Sequence, residues 1–388
     1  GRRAAPRLQN DLALQRLMAR ARAALPGAAP EPDPQGFCRA PFETLETAPG
    51  GDVFFCCPAW LPKPIGNLGD NTAGEIWNSA AAQDIRASIH DGSYRHCSRV
   101  HCPKLSGGRL DRPEALPARL RAVAGARQVA LPEGPRKVIL SHDRSCNLAC
   151  PSCRTGLILA RKEEQAALNA MADRVILPLL AGADRVRVTA SGDPFGSAHF
   201  QYVLRNLGRV VNPRLRLDLQ TNGLLLTPRL WEALELEGRV DQLLVSADAA
   251  RAETYAQVRG GRFETLLENL GFFARLRREG RIASLRLDFV VQATNHAEMA
   301  EFVELARSFG CDGVKFQMIR SWGTWSAEEF RRHDISDPGH PEHGAFLRGL
   351  AGLLGTGPFV EFWGMAAALR AAAALAQKER GDGRSDRA

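Results

Sequence analysis

The sequence predicts an α/β fold: a partial (β/α)6 barrel preceded by a small cysteine-rich domain. Three observations predict it. From Arg136 onward, apolar runs alternate with helical runs at the spacing of parallel βαβ units. Six such units can be counted, where a closed barrel has eight. The cysteines are bunched, with Cys38, Cys56, Cys57, Cys97 and Cys102 in one group and Cys146, Cys150 and Cys153 in another.

The 388 residues allow one large domain and a smaller one. An apolar fraction of 45% supports a sizeable core. No run reaches the ~18 uninterrupted apolar residues of a membrane span. The Arg-rich start lacks the apolar block of a secretory signal. Nine clustered cysteines argue for metal ligation in a reducing compartment over a disulfide framework, so the expected location is cytoplasmic. The net charge of +8 is uneven: residues 1–30 carry six Arg against Asp11, and 103–137 carry eight Lys/Arg against three acids. No aromatic-interleaved basic motif points to nucleic acid. A solvated face, or a docking strip for an acidic electron-donor protein, is the expected use of that charge.

In chain order, residues 1–36 read as an amphipathic helix (8–24) and a Pro/Gly/Ala-rich linker. Residues 37–104 form the cysteine-bearing domain, and 105–135 a connector with a helix at 116–125. The barrel occupies 136–325. Its strands are expected at 137–142, 185–190, 214–220, 240–247, 284–291 and 313–318, with helices at 160–180, 197–208, 228–236, 262–278 and 295–308. A helical segment (326–378, Ala-rich over 361–378) and a disordered tail (379–388) complete the chain. Within the strands, Leu215, Leu217 and Leu219 alternate with Arg216 and Asp218, and Leu285, Leu287 and Phe289 with Arg286 and Asp288. Period two puts the apolar set against the helices and the charged set on the opposite face. That makes the lumen polar, suited to a zwitterionic cofactor and a polar substrate.

The chemistry centres on Cys146-Asn-Leu-Ala-Cys150-Pro-Ser-Cys153, at the C-terminal end of the first barrel strand, the face on which β/α barrels carry their sites. Three thiols this close can grip one face of an iron–sulfur cube and leave the fourth iron without a protein ligand. A structural zinc site would want a fourth ligand nearby, which His142 alone could supply. Five cysteines within 38–102, flanked by Pro41-Phe42, Gly50-Gly51 and Trp77, form a second metal-site signal. Cys311 reads as a small buried hydrophobe. Trp322 and Trp325 read as packing or as a substrate wall, and His333, His340 and His343 as solvated loop residues.

The cysteine loop resembles that of the radical S-adenosylmethionine (SAM) enzymes, with Ser152 where the family has an aromatic residue. The resemblance implies a [4Fe-4S] cluster on Cys146, Cys150 and Cys153 that reduces SAM and releases a 5′-deoxyadenosyl radical. Ser191-Gly192-Asp193-Pro194 is similar to the family's Gly-Gly-Glu-Pro segment, which implies contact with the SAM amino group. Ser246 and Arg259 resemble the SAM-carboxylate contacts of the branch with SPASM domains. The same resemblance implies that Met318 falls near the adenine edge of SAM. Residues 37–104 resemble a SPASM domain, here ahead of the barrel and not after it, which implies an auxiliary [4Fe-4S] cluster on Cys38, Cys56, Cys97 and Cys102 with Cys57 spare. The expected activity is hydrogen-atom abstraction from a small polar (sugar or aminocyclitol-like) or peptide substrate, ending in oxidation, epimerisation or crosslinking. A flavodoxin or ferredoxin is the expected donor, and no residue is marked as catalytic beyond the cofactor contacts. The alternative from another class is a non-catalytic zinc protein that binds nucleic acid or a partner through its basic N-terminal segment.

Overall fold

A computed structural model describes residues 36–189, 191–210 and 212–385, with side chains as far as 378. The helix and linker expected over 1–36 therefore lie outside the described residues, Gly36 excepted. The chain divides into two compact units. One comprises residues to Arg144 with Arg161–Ser191 and Asn206–Leu215; the other comprises Ser145–Ala160, Gly192–Arg205 and Arg216 onward.

In the first unit, strands β1 (Thr44–Thr47), β2 (Asp52–Phe54) and β3 (Gly66–Asn67) form an antiparallel meander. Strand β1 also pairs in parallel with β4 (Lys137–Leu140), and β4 with β5 (Arg185–Val188). The cysteine-bearing segment is thus continuous with the first barrel strand through one sheet. Helix Ala73–Trp77 starts in a capping box between Thr72 and Glu75, and Ala80–His90 starts on a Ser79 cap. The fully buried Arg86 lies over the Phe55 and Trp77 rings and donates to the carbonyls of Pro41 and Val129. Rings and carbonyls together offset what the desolvation of this buried cation costs.

In the second unit, β6 (Arg216–Thr221), β7 (Val240–Ser246), β8 (Ser284–Val291), β9 (Gly313–Met318) and β10 (Val360–Trp363) pair in parallel in that order. Leu217, Leu219, Leu243, Val245, Leu285, Leu287, Phe289 and Phe316 are buried. Phe289 packs edge-on to Phe302 of helix Met299–Ser308, at 4.8 Å between ring centroids, which identifies the helix-covered face. The other face carries the polar set. Ser246, Asp288, Lys315 and Glu361 sit side by side in register across four strands. Asp288 is 1% exposed and accepts from Lys315 Nζ at 2.5 Å. Arg286 Nη1 pairs with Glu361 at 2.8 Å. Arg216 departs from the expectation: its side chain is 41% exposed, facing Asp241 at 3.8 Å.

Two elements differ from the sequence reading. Residues 360–363 form β10 and not the start of a helix, because Phe362 stacks on Phe316 and the backbone completes the ladder with β9. The last helix then runs Ala366–Ser385, beyond the expected start of disorder at 379; residues 386–388 lie outside the described residues. No helix among the described residues is long and apolar enough to cross a membrane.

Candidate cluster and cofactor site

The cysteine loop is an irregular excursion pinned at its base. Cys146 N donates to Ile158 O at 2.9 Å, and Ala160 N to Ser145 Oγ at 3.0 Å. Cys153 N and Arg154 N both turn back onto Cys150 O, at 2.9 and 3.0 Å. Cys146 and Cys150 are buried with Leu148, and Cys153 packs against them. Burial raises the pKa of both buried thiols, with Leu148 N opposing it at Cys146 and Arg259 at Cys150. Each of the three sulfurs has an N–H group aimed at it. Leu148 N and Asn222 Nδ2 reach Cys146 Sγ at 3.4 and 3.7 Å; Arg259 Nη1 reaches Cys150 Sγ at 3.9 Å; Arg154 Nη2 reaches Cys153 Sγ at 3.4 Å. Donors aimed at sulfur suit thiolate ligands, so this residue set fits an iron–sulfur cluster. Among the described residues, no three Cys, His or carboxylate side chains converge on a single ion; a cube takes its thiolates at separate corners.

Asp193 is fully buried beside the loop. Its Oδ1 accepts from Phe195 N and Gly196 N at 2.9 and 3.1 Å, and its Oδ2 from Thr221 Oγ1 and Asn222 N, both at 2.8 Å. Its own N–H donates to Ser145 O at 2.9 Å. Burial pushes its pKa up and the donors pull it down. With both oxygens occupied, Asp193 fastens the end of β6 and the root of the cysteine loop. Gly196 is needed at this junction, because a Cβ there would lie 2.9 Å from Asn147 N and 3.2 Å from Cys146 Cα. The other residues of that segment divide: Gly192 opens the second unit's stretch, whereas Ser191 lies in the first unit and donates to Ser141 O at 2.5 Å.

Arg259 ends helix Ala252–Arg259, and Gly260, at φ +71°, turns the chain away. Its Nε meets Asp248 Oδ2 at 2.8 Å, with the Asp248 side chain only 6% exposed. Burial opposes the guanidinium charge, but Asp248 and Cys150 outweigh it and hold the pKa above its ordinary value. Asp248 itself sits at φ +62°, a conformation that non-glycine residues seldom adopt. There its Oδ1 accepts from Val290 N at 2.7 Å, and its carbonyl accepts from Asn295 Nδ2 at 2.8 Å. Asn295 is therefore a buried brace, and its side chain does not cap the following helix. Ser246 faces the polar side of the sheet next to Asp288, and Met318 ends β9 opposite Val291.

A cavity of about 230 Å³ opens beside the loop, lined by Pro151, Ser152, Gln257, Gln292, Trp325 and His333 among others. Trp325 and His333 stack at 4.0 Å, and Thr324 Oγ1 reaches Ser152 O at 3.4 Å. His333 is thus engaged, where a solvated loop residue was expected; Trp322 is 69% exposed. Cys311 is buried as expected, its pKa pushed up to about 12 by burial.

In the first unit, Cys38, Cys56, Cys97 and Cys102 lie near enough to one another for their charges to interact. Burial is the main cause that pushes Cys56 and Cys97 up to about 12. Trp60 Nε1 donates to Cys56 Sγ at 2.9 Å. This second donor set also fits a cluster. Sequence reasoning missed Asn222, Asp248, Gly196 and Arg154; only Arg154, next to Cys153, is local enough to have been noticed.

An α/β unit that presents three thiols on one loop, in a chain with a second set of four thiols, fits an iron–sulfur protein. Residues 140–306 match the radical SAM superfamily, and residues 38–103 match the SPASM iron–sulfur cluster-binding domain. The chain belongs to the radical SAM superfamily, in the branch that carries SPASM domains. Its cofactors are accordingly a SAM-binding [4Fe-4S] cluster, SAM, and auxiliary iron–sulfur. The iron–sulfur description of the SPASM match leaves the zinc alternative without support. The chain is 28% identical over 184 residues to the AdoMet-dependent heme synthase of Methanosarcina barkeri, a match of 47% of this chain and 50% of that protein. It thus spans about half the length of that relative. Among solved structures, Streptococcus suis SuiB bound to S-adenosylmethionine aligns at 13% identity and TM-score 0.39, over 74% of this chain and 62% of that one. Native anSMEcpe with bound AdoMet aligns at 16% identity and TM-score 0.36, over 48% of this chain and 52% of that one. Likenesses this distant bear on neither substrate nor reaction.

Proposed function

We propose that this chain cleaves SAM reductively and uses the radical to take a hydrogen atom from a polar substrate, either a peptide or a small sugar- or aminocyclitol-like molecule. Oxidation, epimerisation or crosslinking would complete the reaction. The observation that carries the reading is the loop with three thiols, each facing its own N–H donor, in the same unit as a polar sheet face built around the buried Asp288. Cys146, Cys150 and Cys153 would hold the SAM-binding cluster; Cys38, Cys56, Cys97 and Cys102 would hold the auxiliary one. When bound, the reduced cluster donates an electron to SAM and so supplies the 5′-deoxyadenosyl radical.

The protein's share is positioning and exclusion of water. Ser246 is kept as a SAM contact on the polar face, and Met318 as an edge of the adenine site. The Ser191-Gly192-Asp193 segment is kept for the SAM amino group, offered through its backbone because the Asp193 carboxylate is occupied. Arg259, already paired with Asp248, can offer a SAM carboxylate only its remaining donors. The cavity lined by Ser152, Gln292 and the Trp325–His333 stack supports an adenine site in which aromatic surface comes from the segment after β9 and not from the position before Cys153. Asp288 and Lys315 supply a donor–acceptor pair for a polar substrate. The reductant would be a small acidic protein of the flavodoxin or ferredoxin kind. A cytoplasmic site of action belongs to the same reading.

The test is anaerobic reconstitution followed by iron analysis and mass spectrometry for 5′-deoxyadenosine on reduction with SAM. About eight irons per chain, two cubes' worth, with 5′-deoxyadenosine formed and lost in Cys150→Ala, supports the reading. Stoichiometric zinc without SAM cleavage would replace it with the structural-metal alternative.

A further inference from the structure

The donors around the three thiolates are unequal. Cys150 faces Arg259, but Asp248 lies 2.8 Å from the Arg259 Nε and balances its charge. The Arg259 carbonyl oxygen also lies 3.5 Å from Cys150 Sγ, which opposes any negative charge there. Cys146 receives two neutral donors, Leu148 N and Asn222 Nδ2; Asn222 Nδ2 is shared with Asn147 Oδ1 at 2.9 Å. Cys153 receives the nearer of the two guanidinium groups: Arg154, 5% exposed, has its Nη2 3.4 Å from the sulfur, against 3.9 Å for Arg259 Nη1 and Cys150.

A cluster's reduction adds one negative charge, so net charge nearby and hydrogen bonds to sulfur set its potential. A buried cation against a ligand sulfur favours the reduced form, and low exposure leaves it poorly screened. A cation farther from its sulfur does so more weakly. Resting on the cluster assignment above, we propose that Arg154 is the positioning residue that raises the reduction potential of the cluster on Cys146, Cys150 and Cys153, and that Asp248 holds the Arg259 contribution down. Without Arg154 the cluster would need a stronger electron donor.

The experiment is a potentiometric titration of the full, reconstituted chain, followed by electron paramagnetic resonance without SAM. A variant with Cys146, Cys150 and Cys153 all changed to Ala gives the auxiliary signal to be subtracted. Arg154→Gln should make reduction about tenfold less favourable at a fixed donor potential, which is about 59 mV downward for a one-electron couple. Arg154→Lys, which keeps the charge, should recover at least half of that. Asp248→Asn should move the potential upward, since Asn tolerates the positive φ and frees the Arg259 charge. Should Arg154→Gln stay within twofold of the unmodified chain, or Asp248→Asn move it downward, the proposal falls. A triple variant that retains as much iron as the unmodified chain would instead overturn the cluster assignment itself.

Discussion

Gly196 shows how little freedom a single residue has at the root of the cysteine loop. A methyl group there would press on Asn147 N and Cys146 Cα, both backbone atoms, so no side chain can swing aside. Gly196→Ala should cost about 1–3 kcal/mol, as overpacking generally does, and should lower iron content before it unfolds the chain. Denaturant melts and iron analysis on the same sample check both; full iron content with unchanged stability would refute the contact. At this scale the sequence is only partly legible. The three loop cysteines stand out because all lie within eight residues. The partners of Asp193 do not, because Thr221 and Asn222 are 28 and 29 positions away. The Asp193 carboxylate therefore reads from sequence as available to a ligand, although four donors already occupy it. Arg259 misleads similarly: nothing local shows that Asp248, held by its own unusual φ, takes up its guanidinium.

Among the elements, helix Ala252–Arg259 joins a distant cap to the cluster loop. Its first turn has no side-chain cap of its own. Instead the buried Glu298 carboxylate accepts from Ala250 N at 2.7 Å and Arg251 N at 3.1 Å, and from the Thr254 hydroxyl. A carboxylate at a helix N-terminus satisfies orphan N–H groups and meets the positive end of the macrodipole. The far end of the helix delivers Arg259 to Cys150. Glu298→Gln should cost roughly 1–2 kcal/mol, the range for a lost cap, and should loosen Arg259. Circular-dichroism melts and amide exchange over 252–259 check this, and unchanged protection there would refute it. Strands β6 and β8 are legible because their apolar–charged alternation has period two. β10 is not, because its four residues precede an Ala-rich run whose helical signal is stronger. Only the contact of Phe362 with Phe316, far apart in the chain, decides for a strand.

For the whole molecule, charge and cysteines lead to separate expectations. The excess of Lys and Arg over 103–137 is partly consumed internally, since Arg119 pairs with Glu133 at 2.7 Å and Arg136 with Asp184 at 2.6 Å. Arg109, Arg112 and Arg127 remain on exposed positions. If an acidic donor uses them, the second-order rate of cluster reduction should fall several-fold between low salt and about 0.3 M, as screening shortens to below ~8 Å. Stopped-flow reduction by a flavodoxin measures it, and a salt-independent rate would remove the docking strip. The cysteines carry the stronger argument. Each unit has its own thiol set, and each set is held by contacts within its unit: Trp60 on Cys56 in one, Asn222, Arg154 and Arg259 in the other. Two donor sets built independently should fill independently. Changing both Cys97 and Cys102 to Ala should therefore remove about four irons per chain, one cube, and leave the rest. The remaining cluster should still perturb its spectrum when SAM is added. Loss of all iron would mean that the two sets are interdependent and would overturn this reading.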